Sequence, residues 1–174
     1  MGIHLLTLKN YMDQTNTSPA AQRKKLQLEV SWWLFTASIA FLVILPILLN
    51  VKGYPFLWSN IAFIVAFITL TRYVFLLKYT WFARREVLKV IFFFLCIPIL
   101  FFTIQEVNLF QTYLDENGVE ALVGQQFPYT KRAALGKYVH SEMLLFGIGT
   151  VIAGVVFPFR LLISVWRGRN TGKV

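Results

Sequence analysis

Four long uncharged apolar runs constrain this chain more than any other feature of its sequence. They are 22, 19, 16 and 17 residues long and cover residues 30–51, 53–71, 90–105 and 143–159. A membrane-spanning helix needs about 20 predominantly apolar residues. The runs therefore predict an all-α membrane protein with four transmembrane helices. We place the spans near residues 31–50, 56–77, 87–105 and 141–164.

Composition excludes the common soluble classes. Of 174 residues, 57% are hydrophobic and 14% are charged, with a mean hydropathy of +0.61. So few charges cannot cover the surface of an ordinary soluble enzyme, and they do not fit a disordered chain. The single cysteine, Cys96, excludes an intramolecular disulfide scaffold.

Basic residues predict the orientation of the spans. Eleven Lys and Arg residues lie before the first span, between the second and third, or after the fourth, counting Lys89 at the start of the third span, whereas four lie in the other connections. Because basic loops are retained on the cytoplasmic side, both termini are expected to be cytoplasmic. This face is expected to bind anionic lipid or a partner protein, and direct nucleic-acid binding is not expected. The residues assigned to it are Arg23, Lys24, Lys25, Lys78, Arg84, Arg85, Arg167 and Arg169.

The chain divides into an N-terminal segment, 1–30, and a four-helix domain, 31–174. Leu5, Leu8 and Met12 have helical spacing, which indicates an amphipathic helix on the lipid surface or docked on a partner. The connection 106–139 is too long for a simple linker. Its apolar spacing predicts a small helical cap outside the membrane: the third helix continues past its span, a second short helix begins at 119–122, and a last helix starts near Thr130.

Arg72 and Arg160 are the charges placed deepest within the predicted spans. Arginines near span ends usually extend to the headgroups. The alternatives are a polar vestibule, an acid of another subunit, or bound anionic lipid. No acid lies at comparable depth in the spans, so the sequence predicts no intrachain ion pair for either arginine.

Glu106 and Glu142 lie at the outer ends of the third and fourth spans, near Arg132, Lys137 and His140. In an oligomer, a ring of such acids would concentrate cations at a pore mouth. The alternative is a pair of carboxylates that are solvated or bound to the cap.

No set of residues suited to catalysis emerges. His140, Ser141 and Glu142 are adjacent on one helix and point about 100° apart, so they cannot align as a triad. The two histidines, His4 and His140, are predicted on opposite sides of the membrane. We therefore expect no enzymatic activity, no metal and no cofactor.

Small residues recur along the fourth span, which allows another helix to approach closely. The contact is expected within the bundle or between subunits, with the former slightly favoured. The residues assigned to it are Gly147, Gly149, Ala153 and Gly154.

In size and layout the chain resembles the four-helix membrane subunit of Kiwa-type bacterial antiphage defence systems. The resemblance covers the whole chain, with the basic runs 23–25 and 84–85 facing inward and the segment 105–139 outside. It implies a homo-oligomer in the bacterial inner membrane that senses an envelope disturbance and recruits a separate cytoplasmic effector. Elimination leads to a similar class, a non-enzymatic membrane anchor or sensor subunit. The rival function is a small oligomeric ion channel or transporter.

Overall fold

The structure is a computed structural model that describes residues 19–80, 86–123 and 127–171. It is all-helical in these ranges, and two short 3₁₀ helices, Leu77–Tyr79 and Val119–Leu122, follow the second and third helices. Leu5, Leu8 and Met12 of the N-terminal segment lie outside the described residues. The four long helices are α1 (Pro19–Asn50), α2 (Leu57–Leu76), α3 (Glu86–Asn117) and α4 (Tyr129–Thr171).

All four helices are long and apolar enough to cross a membrane. This confirms the number of candidate spans. Three of the helices are much longer than the spans expected from hydropathy, since α1 and α3 have 32 residues each and α4 has 43. An uncharged run locates the part of a helix that suits lipid. The helix itself can extend beyond that run, because its backbone hydrogen bonds do not require apolar side chains.

Helix α4 lies between α2 and α3. Residue numbers rise together along α2 and α4, because Asn60 contacts Glu142 and Val74 contacts Arg160. The two helices are therefore parallel, which is possible because all of α3 lies between them in the sequence.

Helix α3 runs antiparallel to α4. The start of α3 meets the end of α4 through Lys89 and Ser164, whereas Val107 lies against Gly147. The connection between the two helices therefore folds back at one end of the bundle. We call this the connection end, and it also carries the α1–α2 turn; the opposite end, with the start of α1 and the end of α4, is the terminal end.

Helix α1 packs antiparallel on α2 and buries less of its surface. Ala40 and Ile44 form a small core with Ile64. Much of the rest of α1 exposes large apolar side chains, including Leu34, Leu42 and Leu49. Exposed apolar side chains of this kind suit contact with lipid or with another transmembrane helix.

Tight turns close the connection end. Gly53 and Gly118 have φ values of +71° and +78°, which favour glycine because other residues meet a Cβ clash there. The amide of Gly118 also donates to the carbonyl of Leu114, which satisfies one of the last carbonyls of α3. The largest core cluster lies at this end and includes Phe63, Phe110 and Met143.

Candidate functional site

Two carboxylates from different helices meet the first turns of α2 at the connection end. The hydroxyl of Ser59 donates to Oε2 of Glu106 over 2.6 Å, and the amide of Asn60 donates to Oε2 of Glu142 over 2.6 Å. Adjacent residues of α2 therefore hold one acid from α3 and one from α4. We call this group, together with Tyr54 of the α1–α2 turn, the carboxylate cluster.

The start of α2 favours negative charge. No side chain caps the helix at Phe56, and its own first turn contains no acid. The unpaired amides of a helix N-terminus carry a partial positive charge. Glu106 and Glu142 place carboxylates near this end of the helix, so part of their charge is compensated by the backbone of α2.

Glu142 is buried, which differs from the expected position at a solvent-facing mouth. Its exposed fraction is 6%, whereas Glu106 is half-buried. Hydropathy identifies the end of an apolar run but not the side of the helix that faces its neighbours. Arg132, which the sequence places near these acids, instead forms a salt bridge of 3.3 Å with Glu120.

Three atoms of the cluster have no hydrogen-bond partner among the residues that the structure describes. They are the hydroxyl oxygen of Tyr54, Oδ1 of Asn60 and Oε1 of Glu142. Burial raises the pKa of the Tyr54 hydroxyl, and the nearby carboxyl of Glu142 raises it further. The hydroxyl of Tyr54 therefore keeps its proton and remains a hydrogen-bond donor.

The residue types of a triad do not come together. His140 lies against the ring of Phe110, with 6.3 Å between the ring centroids, and Ser141 is exposed. Among the residues that the structure describes, no group of three or more His, Cys, Asp or Glu could hold a metal ion.

Arg72 forms an intrachain ion pair, so the prediction of no such pair is wrong for this residue. Its Nη1 lies 2.8 Å from Oε2 of Glu29, and its guanidinium lies 5.1 Å from the ring centroid of Trp32 and 5.6 Å from that of Tyr73. Glu29 was assigned to the cytoplasmic segment because it precedes the apolar run. Since α1 begins at Pro19, Glu29 is already helical and is carried alongside α2.

Arg160 contacts the backbone of α2. Its Nε donates to the carbonyl of Val74 over 3.1 Å. Val74 lies in the last turn of α2, where carbonyls lack partners within the helix and the dipole favours a cation. The arginine therefore stabilises the C-terminus of a neighbouring helix, a role not among those considered from the sequence.

Lys89 is a buried cation that the charge pattern placed on the cytoplasmic surface. Its exposed fraction is 1%, and its ammonium donates to the hydroxyl of Ser164 over 2.9 Å. The signal that could have found it is its position inside the third predicted span.

The small residues of α4 pack within the chain. A Cβ on Gly147 would lie 2.7 Å from Val107, and one on Gly149 would lie 2.7 Å from the ring of Phe67. A Cβ on Gly154 would likewise lie 2.8 Å from Leu100 of α3. These contacts let α4 approach both neighbours closely, and Ala153 is buried in the core next to them.

Sequence reasoning missed Gly136. A Cβ there would lie 2.9 Å from the backbone oxygen of Val119 in the second 3₁₀ helix. The signal was a lone glycine in an otherwise helical stretch. This glycine lets the segment that connects α3 to α4, which we call the connecting segment, lie directly on α4.

Exposed basic side chains lie at the terminal end of the bundle. Arg23, Lys24, Arg167 and Arg169 are exposed, and Arg169 lies 3.6 Å from Glu86. The side chains of Lys25 and Lys78, and all of residues 84–85, lie outside the described part of the chain.

Comparison of the chain with protein-family models, with curated proteins and with solved structures gives no match.

Proposed function

We propose that this chain is a non-enzymatic membrane anchor or sensor subunit that oligomerises and recruits a cytoplasmic partner protein. The observation that carries the proposal is the continuity of α4. The helix has 43 residues, which at 1.5 Å per residue is about 65 Å, roughly twice the apolar thickness of a bilayer. One continuous helix therefore joins the connection between α3 and α4 to the basic terminal end.

Such a helix could transmit a conformational change from one side of a membrane to the other. The connecting segment packs on α4 through Gly136, and the far end of the helix carries exposed Arg167 and Arg169. In the proposed orientation the connection end faces outward and the basic end faces the cytoplasm of a bacterium, in line with the retention of basic residues. The proposed setting is antiphage defence, with an envelope disturbance as the stimulus.

Oligomerisation is supported by the surface that α1 leaves exposed. Its large apolar side chains, including Trp33, Phe41 and Leu49, are each more than half exposed. Lipid or a second copy of the chain can cover this face.

The decisive experiment is purification from the native host in mild detergent, with measurement of native mass and identification of co-purifying proteins. An oligomer with a bound cytoplasmic protein supports the proposal. The variant Arg23→Glu with Lys24→Glu should reduce partner recovery. The matched control reverses two exposed lysines of the connection end, Lys52 and Lys137, and should leave recovery unchanged.

The rival function, a small oligomeric channel or transporter, draws on the buried pair of Glu142 and Asn60. The interior beside this pair is filled by Phe63 and Phe110, so a pore would have to lie between subunits. A partner-free oligomer that passes ions in liposomes would favour this rival and contradict the anchor.

A further inference from the structure

Within residues 19–80, 86–123 and 127–171, three buried side-chain oxygen atoms have no hydrogen-bond partner, and they come from three different segments. Tyr54 comes from the α1–α2 turn, Asn60 from α2 and Glu142 from α4, with exposed fractions of 7%, 0% and 6%. Each contributes one oxygen that makes no hydrogen bond. Buried polar atoms are nearly always satisfied, so three together indicate a ligand or water.

The three side chains form one contiguous group. The amide of Asn60 donates to one carboxyl oxygen of Glu142 over 2.6 Å, which leaves the other carboxyl oxygen unpaired. Both residues also lie close enough to the Tyr54 hydroxyl to act on its pKa, which the Glu142 carboxyl raises and the Asn60 amide lowers. The group therefore offers a hydroxyl, an amide carbonyl and a carboxylate oxygen.

The charge of this group is not balanced within the described residues. Neither Glu142 nor the neighbouring Glu106 forms a salt bridge there, and each has only a neutral hydrogen-bond donor. The N-terminus of α2 supplies about half a positive charge, which is less than one carboxylate requires. An ionised carboxylate is costly to bury unless a positive charge compensates it.

We propose that Tyr54, Asn60 and Glu142 bind a monovalent cation, for which sodium is the probe. Hard cations prefer oxygen ligands, and these three residues offer only oxygens to a cation. One carboxylate balances a single charge, whereas a divalent ion would bring an excess charge into a buried site. A water molecule could satisfy the same hydrogen bonds, but it would leave the negative charge uncompensated.

Binding at this site ties together the α1–α2 turn and the two parallel helices α2 and α4. The site does not depend on the function proposed above, because it rests on the unpaired atoms and the charge alone. It gives a membrane protein of either class a sensitivity to the cation concentration at the connection end.

The test is binding of radioactive sodium to the purified full-length protein in detergent, with choline chloride to keep the ionic strength constant. The wild type should bind one sodium ion per chain in a saturable manner, and Glu142→Gln should abolish this binding. Tyr54→Phe, which removes one ligand atom, should weaken the affinity by about tenfold.

The matched control is Glu106→Gln, which neutralises the acid held by Ser59 on the adjacent residue of α2. Sodium binding should persist in this variant. The proposal is overturned if the wild type shows no saturable binding, or if Glu142→Gln binds sodium as the wild type does. The first result would mean that a proton alone neutralises the carboxyl.

Discussion

At the terminal end of the bundle, Arg72 is paired with Glu29, whereas at the connection end Glu142 is held by the neutral amide of Asn60. Both side chains are largely buried; Arg72 belongs to α2, and Glu142 lies against that helix. The difference is that the arginine has an opposite charge within the chain and the glutamate has none in the described residues. The first arrangement stabilises a contact between two helices, and the second leaves a charge that something else must neutralise.

The largest effect should come from neutralising one glutamate at each end, Glu29 or Glu142. Glu29→Gln leaves the buried guanidinium of Arg72 without its counter-charge and should lower the free energy of unfolding by about 3 kcal/mol. Glu142→Gln removes an unbalanced charge and keeps an acceptor for Asn60. In sodium-free buffer it should change the stability by less than about 1 kcal/mol.

Thermal unfolding of both variants in detergent measures this contrast. Equal losses would show that Glu142 is as well compensated as Arg72, and the comparison between the two ends would fail.

The two ends also differ in which part of the chain packs against the glycines of α4. Gly136→Ala places a Cβ against the backbone oxygen of Val119 and should cost about 2 kcal/mol, because backbone cannot move aside cheaply. Gly154→Ala, nearer the terminal end, meets the tip of Leu100 and should cost about 1 kcal/mol. Native mass and Tm check both variants. An unaltered Gly136→Ala protein would argue against tight docking of the connecting segment.

The smallest expected effects concern Lys89, the terminal-end charge whose partner is also neutral. Ser164→Ala removes the acceptor of a buried ammonium and should destabilise the protein by about 1 kcal/mol. Lys89→Met removes the charge and fills similar volume, so its loss should be smaller still. The free energies of unfolding of the two variants, measured under the same conditions, check both predictions. A larger loss in Lys89→Met would show that the ammonium has a further partner.

The sequence predicts the helices well and the contacts of the charges poorly. The extension of α3 through Val107, Phe110 and Leu114 follows from their helical spacing, and these three residues are buried in the structure. The ion pair of Arg72 could not be predicted in this way. Glu29 was placed outside the first span because hydropathy sets the span limits, while the position of Glu29 beside Arg72 depends on how α1 crosses α2.

The sequence by itself determined that the chain is helical and that four of its segments suit a membrane. These are properties of short stretches of chain, set by apolar length, spacing and backbone preference. Only the tertiary structure decided that Asn60 meets Glu142, that Arg160 caps α2 and that Lys89 is buried. Those outcomes depend on the rotation and register of one helix against another, which follow from side-chain packing across the whole bundle.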